Sequence, residues 1–291
     1  MVCPGCGKVL KCGRCDRSLT YHKSKGQALC HWCGFYMRLP EVCPFCGCLD
    51  MKPIGMGTEQ IMAAIEAALP GRRLLRMDSD EITTAARLAR ALDAIRAREV
   101  DIIVGTQMIA KGHDFPDLTL VGVVHAEQLL YMPDFRSSER TFQQVVQVAG
   151  RAGRRKSDTK VIIQTLIPDH PLIHAIASYD YQAMIDMELE TRKATGFPPF
   201  SYMARCVVTS ETEKVARDYS MKIASAIRLP GTEVLGPAPA PVALLRNRRR
   251  WHIILRSKNR GALHRAIDMI EMMSCPRGAE IRVDVDPYFM M

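Results

Sequence analysis

Four C-x-x-C turns fall within the first 46 residues, at Cys3/Cys6, Cys12/Cys15, Cys30/Cys33 and Cys43/Cys46. Each turn presents two thiolates on one side of a tight loop, half of a tetrahedral zinc site, so four turns supply two complete four-cysteine sites. In the outer turns a glycine follows the second cysteine (Gly7 and Gly47), where φ > 0 lets backbone N–H groups turn toward sulfur. The stretch Thr20 to Leu29, with Ser24-Lys25-Gly26 at its centre, predicts a β-hairpin that folds the inner turns together. Its closure would nest the sites, with Cys12, Cys15, Cys30 and Cys33 on one zinc and Cys3, Cys6, Cys43 and Cys46 on the other. Spacing alone does not exclude sequential pairing. A disulfide framework belongs to small secreted chains, and no charged start followed by an apolar run opens this one, so zinc is the expectation. Cys48, Cys206 and Cys275 are left as spare or buried thiols.

The chain has 291 residues, 47% of them apolar and 24% charged, enough for two ordinary domains beside a small metal module. No apolar run approaches the ~18 residues of a membrane span, and reduced-thiol chemistry points to the cytoplasm. The formal charge of +9 overstates the basicity, because eight zinc-bound thiolates subtract eight and two zinc ions add four, leaving about +5. Distribution is more informative: Arg246, Arg248, Arg249 and Arg250 stand beside Trp251, a composition suited to phosphates and a stacked base. The competing reading is a charged hairpin edge kept soluble.

After a turn-rich junction at Lys52 to Gly57, Thr58 and the apolar series Ile61, Met62, Ile65 and Leu69 predict a capped amphipathic helix. Strands are expected at 74–77, 101–104, 118–124 and 160–166, with helices at 82–98 and 137–151. Alternating helices and short apolar strands predict an α/β domain built on a parallel sheet. A long helix over 171–193 then leads to Gly196-Phe197-Pro198-Pro199-Phe200, whose prolines end it. Beyond lies the order strand 204–209, helix 211–227, strand 233–235, strand 251–256, helix 260–273, strand 280–286, which predicts a ferredoxin-like α+β sandwich. The expected domains are therefore a double-zinc module at 1–52, an α/β domain at 53–196 and a C-terminal domain at 197–291.

Two segments of the α/β domain are hard to explain as packing. In Gln147-Val148-Ala149-Gly150-Arg151-Ala152-Gly153-Arg154, glycines weaken a helix by ~1 kcal/mol each, which implies close approach of a partner. On a helix Gln147, Arg151 and Arg154 share a face, and two guanidiniums converging on one spot suit a polyphosphate. The second segment, Gly105 to Phe115, follows an apolar strand, where parallel sheets bind ligands. Thr106 and Gln107 offer neutral contacts to a sugar-phosphate backbone, and Lys111-Gly112 offers charge with close backbone approach. His113 reads as a satisfied buried histidine rather than a ligand.

These two segments resemble motifs V and VI of superfamily 2 helicases in the form carried by the PriA-type replication-restart helicases. The eight cysteines, Gly57-Thr58-Glu59, Asp134-Phe135-Arg136, Gly196 to Phe200, Leu235 to Pro239 and Asp284 to Pro287 are similar to that family in the same order. The resemblance implies a RecA-like second lobe, with Arg151 and Arg154 as arginine fingers, Gln147, Gly112 and Asp114 toward ATP, and Thr106, Gln107 and Lys111 toward DNA. It also implies 3′-to-5′ unwinding at stalled or branched forks and a nucleoid-associated location. Implied partners are single-stranded and branched DNA, single-strand-binding protein and primosome proteins. The sequence has no G-x-x-x-x-G-K-[ST] and no D-E-x-H run, so the first lobe is expected to lie outside this chain, as is the strand that opens the second lobe, which in the family precedes the cysteines. ATP and Mg2+ would then be bound only together with that first lobe, and no ATP hydrolysis is expected of the chain alone. The family tends to place Asp where this chain has His125 and Glu127. The competing functional class is a zinc-containing DNA or protein adaptor without motor activity.

Overall fold

In the computed structural model the described residues are 3, 5–6, 8–15, 19–22, 26–30, 33–49, 57–106, 115, 117–150 and 159–290. The cysteine-rich segment forms a three-stranded antiparallel sheet, β1 (Thr20–His22), β2 (Gln27–Leu29) and β3 (Tyr36–Arg38). Thr20 pairs with Leu29 and His22 with Gln27, the register of the expected hairpin, while β3 is an addition that pairs Leu29 with Tyr36. Leu10, Leu19 and Ala28 are buried among the cysteines, so the module's apolar core is little larger than its sulfur clusters. A core this small gains most of its folding free energy from metal.

The central α/β part contains α1 (Thr58–Ala68), β4 (Leu74–Met77), α2 (Ala85–Arg96), β5 (Ile102–Gly105), β6 (Leu120–Val123), a 3-10 turn at Ala126–Leu129, α3 (Ser137–Ala149) and β7 (Lys160–Ile163). Pairing is parallel, as expected, but the strands divide into two pairs, β4 with β5 and β6 with β7. A single continuous sheet is therefore not formed among the described residues, where β5 and β6 share no ladder. Arg73 fixes one crossover, donating its backbone N–H and its guanidinium to Asp101 at 2.8–3.1 Å. Thr58 does not cap α1: Gly57 occupies the cap position, and the Thr58 hydroxyl donates instead to Asp78.

The helix expected over 171–193 is two helices, α4 (Pro171–Ala177) and α5 (Tyr181–Thr195). Tyr179 adopts φ +55 between them, and the Asp180 carboxylate accepts the Ala183 N–H, starting the second helix after a break. Apolar periodicity runs through this point because both helices bury one face, so sequence period alone joins them. Leu172, Ile173, Ile176 and Met184 pack with Phe142 and Val145 of α3.

The C-terminal part runs β8 (Tyr202–Ser210), α6 (Glu213–Ala226), β9 (Thr232–Leu245), β10 (Arg248–Ser257), α7 (Arg260–Glu271) and β11 (Ala279–Val285). Its antiparallel sheet has the order β11-β8-β10-β9, the split β-α-β arrangement of a ferredoxin-like sandwich. Ala204, Cys206, Val208, Ile253 and Leu255 meet Ile223, Leu263 and Ile270 of the two helices in its core. β9 is far longer than the expected 233–235; its Pro237, Pro239 and Pro241 are tolerated because it is an edge strand. Packing gathers Met1–Ile54, Pro133–Phe135 and Leu189–Met291 into one compact unit and Gly55–Met132 with Arg136–Glu188 into another.

Candidate metal centres

Two clusters of four sulfurs form in the cysteine-rich module. Cys3, Cys6, Cys43 and Cys46 make one and Cys12, Cys15, Cys30 and Cys33 the other, with all ligand atoms of a cluster within 4.8 Å of one another. Four thiolates held about 2.3 Å from a tetrahedral zinc lie about 3.8 Å apart. The Sγ–Sγ separations are 3.5 Å for Cys3–Cys46, 3.8 Å for Cys6–Cys43 and 3.7 Å for Cys12–Cys33. The donor sets therefore fit zinc in size and chemistry, in the nested arrangement.

Electrostatics within each cluster points the same way. Burial alone would raise the Cys3 thiol, but the Cys6 and Gly5 backbone N–H groups and the Cys46 and Cys43 thiols bring it down to about 6. Cys46, despite an N–H bond from Cys48, is pushed up to about 12 because Cys3 and Cys6 stand against it. In the inner cluster burial would raise Cys33, yet Phe35 N–H and its neighbouring thiols lower it to about 7, whereas burial, outweighing the Arg246 N–H, takes Cys15 up to about 12. Four sulfurs at contact distance cannot all ionise without a cation; a divalent metal supplies the charge that makes four thiolates compatible.

Glycines do the local positioning. Gly47 has φ +72, with its N–H on the Cys43 carbonyl. Gly34, which the sequence reading passed over, has φ +75 and the equivalent bond to Cys30. The signal was present: it too is the residue after the second cysteine of a turn.

The segments at 105–115 and 147–154 are only partly described. Gln107, Lys111, Gly112, Asp114, Arg151 and Arg154 lie outside the described residues. Thr106 is exposed and directly follows β5, at the carboxyl end of a parallel strand. Gln147 is exposed on α3, and Gly150 is the residue that ends that helix, so its cost to helix stability is that of a terminus rather than an interior. Glu127 is buried; burial opposes its charge, but its own N–H, Thr165 and Leu166 N–H lower its pKa, with His125 Nδ1 3.7 Å away.

The arginine cluster is split by strand geometry. Arg246 and Asn247 form the turn between β9 and β10, with φ +51 and +62. Arg248 pairs with Glu280 at 2.9 Å, Arg249 reaches Glu213 at 4.0 Å, and Arg250 donates to the Val242 carbonyl at 3.3 Å. Trp251 is half-buried: adjacent strand residues point to opposite faces, so it turns away from Arg250 and packs against the core under the helices.

Comparison with known proteins places these parts together. The Primosomal protein N C-terminal domain model matches residues 193–288, the PriA DNA helicase Cys-rich region model residues 12–38, and the Helicase conserved C-terminal domain model residues 57–156. Replication restart protein PriA of Bacillus subtilis (strain 168) is 35% identical over 298 residues, covering 100% of this chain and 37% of the relative. That of Synechocystis sp. is 38% identical, covering 98% of the chain and 35% of the relative, and that of Treponema pallidum is 38% identical, covering 98% and 44%. The chain thus spans about two fifths of the length of the curated relatives it matches. Among the described residues no helix is long and apolar enough to cross a membrane. Paired four-cysteine centres, a helicase C-terminal domain and a primosomal C-terminal domain in one order show that the chain belongs to the PriA family of replication restart proteins and matches its C-terminal portion.

Proposed function

We propose that this chain is the zinc-bearing second-lobe and C-terminal part of an ATP-dependent 3′-to-5′ DNA helicase acting in replication restart and primosome assembly. The observation that carries the reading is the helicase C-terminal match over residues 57–156, a span that contains both Gly105 to Asp114 and Gln147 to Arg154. In this reading Arg151 and Arg154 reach the γ-phosphate of ATP, held with Mg2+ at the interface with a first lobe. Gln147, Gly112 and Asp114 line the nucleotide cleft. Thr106, Gln107 and Lys111 contact the backbone of single-stranded DNA, and Arg246, Arg248, Arg249 and Arg250 add phosphate contacts from the C-terminal part. Single-strand-binding protein and primosome proteins are the proposed protein partners, at branched DNA in the bacterial nucleoid.

The test is steady-state ATP hydrolysis, with and without single-stranded DNA, by the chain alone and after addition of a first lobe carrying a phosphate-binding loop. Turnover only in the mixture, abolished by Arg151→Ala, is the expected result. Robust turnover by the chain alone would overturn it. A second reading, a zinc-containing DNA- or protein-binding adaptor without motor activity, is favoured by the two four-sulfur clusters. It gains if the mixture stays inactive while the chain still binds DNA.

A further inference from the structure

The inner metal centre takes one of its hydrogen bonds from the far end of the sequence. In two of the cysteine turns the second cysteine receives an N–H from two residues further on, Cys33 from Phe35 and Cys46 from Cys48. That geometry follows the positive φ of the intervening Gly34 and Gly47. The turn at Cys12-Gly13-Arg14-Cys15 is followed by Asp16, not glycine, and there the donor is different. Arg246 N–H points at Cys15 Sγ at 3.5 Å, across 231 positions of sequence. Asn247 N–H donates to the Arg14 carbonyl at 3.0 Å, and Leu245 packs against the module's buried cluster. The tip of the β9–β10 hairpin is thus seated on the turn, with two main-chain donors aimed by consecutive positive-φ residues.

We propose that the Arg246–Asn247 turn is the outer coordination shell of the inner zinc site, so that zinc at Cys12, Cys15, Cys30 and Cys33 latches the arginine hairpin of the C-terminal domain onto the metal module. A zinc bound by four thiolates carries a net charge of about −2. Amide donors to the sulfurs disperse that charge and fix ligand orientation, the work that outer-shell groups do at metal centres. Coupling runs both ways: emptying the site releases the hairpin tip, and unseating the tip loosens the metal. The proposal rests on the zinc reading and goes beyond it by giving one of the two sites an interdomain role.

Hydrogen exchange of the intact chain tests it. Cys12→Ser/Cys30→Ser empties the inner site and Cys3→Ser/Cys43→Ser the outer one. The first is expected to lower protection of the peptide spanning 244–249 at least tenfold while peptides from β8 and α7 keep theirs, which shows that the C-terminal fold persists. The second is expected to leave 244–249 unchanged. Equal protection in both variants and the parent overturns the proposal, as does equal loss in both. A second measurement needs no cysteine change: Leu245→Ser should speed chelator-driven release of one zinc per chain several-fold and leave the other at its parental rate. Identical release from parent and variant counts against the latch. A parental zinc content of two per chain by elemental analysis separates failure of the latch from failure of the zinc reading; a content of zero sinks the reading itself.

Discussion

The rings of Phe135 and Phe197 lie stacked, with centroids 5.0 Å apart and planes 2° from parallel. Arg192 sits over the Phe135 ring at 5.2 Å and Arg256 over Phe197 at 5.7 Å, so two cations close the ends of an aromatic pair. Arg256 also donates to the Thr195 carbonyl and to Glu233. Beside them, buried Asp134 accepts the Met290 backbone N–H at 3.1 Å. The glycine- and proline-rich run at 196–200 therefore has a purpose beyond ending a helix: it presents Phe197 to the segment that precedes α3. Helix α3 in turn leads directly into Gly150 to Arg154.

Phe135→Ala and Phe197→Ala are each expected to destabilise the chain, and the double variant to lose less than the sum. A coupling of about 1 kcal/mol is the expected magnitude for an aromatic pair. Thermal or urea denaturation of the four proteins of the cycle measures it, and strict additivity would contradict the stacking.

Zinc stoichiometry should report the nesting. Cys46→Ser is expected to remove the metal shared with Cys3, Cys6 and Cys43 and to leave the inner zinc in place, lowering elemental zinc from two to one per chain. Cys15→Ser should do the converse. If the pairing were sequential, Cys3→Ser and Cys15→Ser would empty the same site, and combining them would cost no further metal.

Asp78 makes the α/β part acid-sensitive. Burial opposes its charge, but the Thr58 hydroxyl, the Glu81 and Asp80 N–H groups and the Arg76 guanidinium at 2.9 Å hold its pKa below the usual carboxylate range. A depressed folded pKa contributes stability that is present above the unfolded value of about 3.9 and is lost as pH falls through the folded value. Stability should therefore drop below about pH 4, and Asp78→Asn should be less stable at neutral pH and flatter in its acid dependence. Denaturation midpoints from pH 7 to pH 2 decide the point; parallel curves would rule it out.

In the ferredoxin-like core, Ile253 is fully buried between the sheet and its helices. Ile253→Ala is expected to cost about 2–5 kcal/mol, the range for truncating a large buried aliphatic. Since the residue touches no metal ligand, zinc content should stay at the parental value, and a simultaneous loss of zinc would show that the core and the module unfold as one.

Particular residues show why some features were legible in sequence and others not. The β-α-β-β-α-β order was readable because each element has one apolar face with its own period, and the hairpin at 20–29 because polar residues with a glycine separate its strands. The placement of Trp251 was not legible, because composition records that an aromatic adjoins four arginines, not that strand alternation sends it to the opposite face from Arg250. The helix break at Tyr179 was invisible because neither Gly nor Pro marks it; Asp180 restarts the helix through a side-chain cap.

By itself the sequence determined the number and kind of metal ligands, the split β-α-β order and the family, because thiolate chemistry and apolar periodicity are local properties of the chain. Only tertiary structure decided which cysteines share a site, which arginines stand against Glu280, Glu213 and Val242, and that Cys15 takes its hydrogen bond from Arg246. Those outcomes depend on contacts between residues far apart in sequence, set by how strands and turns are aimed in space. The cysteine turns specify zinc; the fold specifies which sulfurs share it.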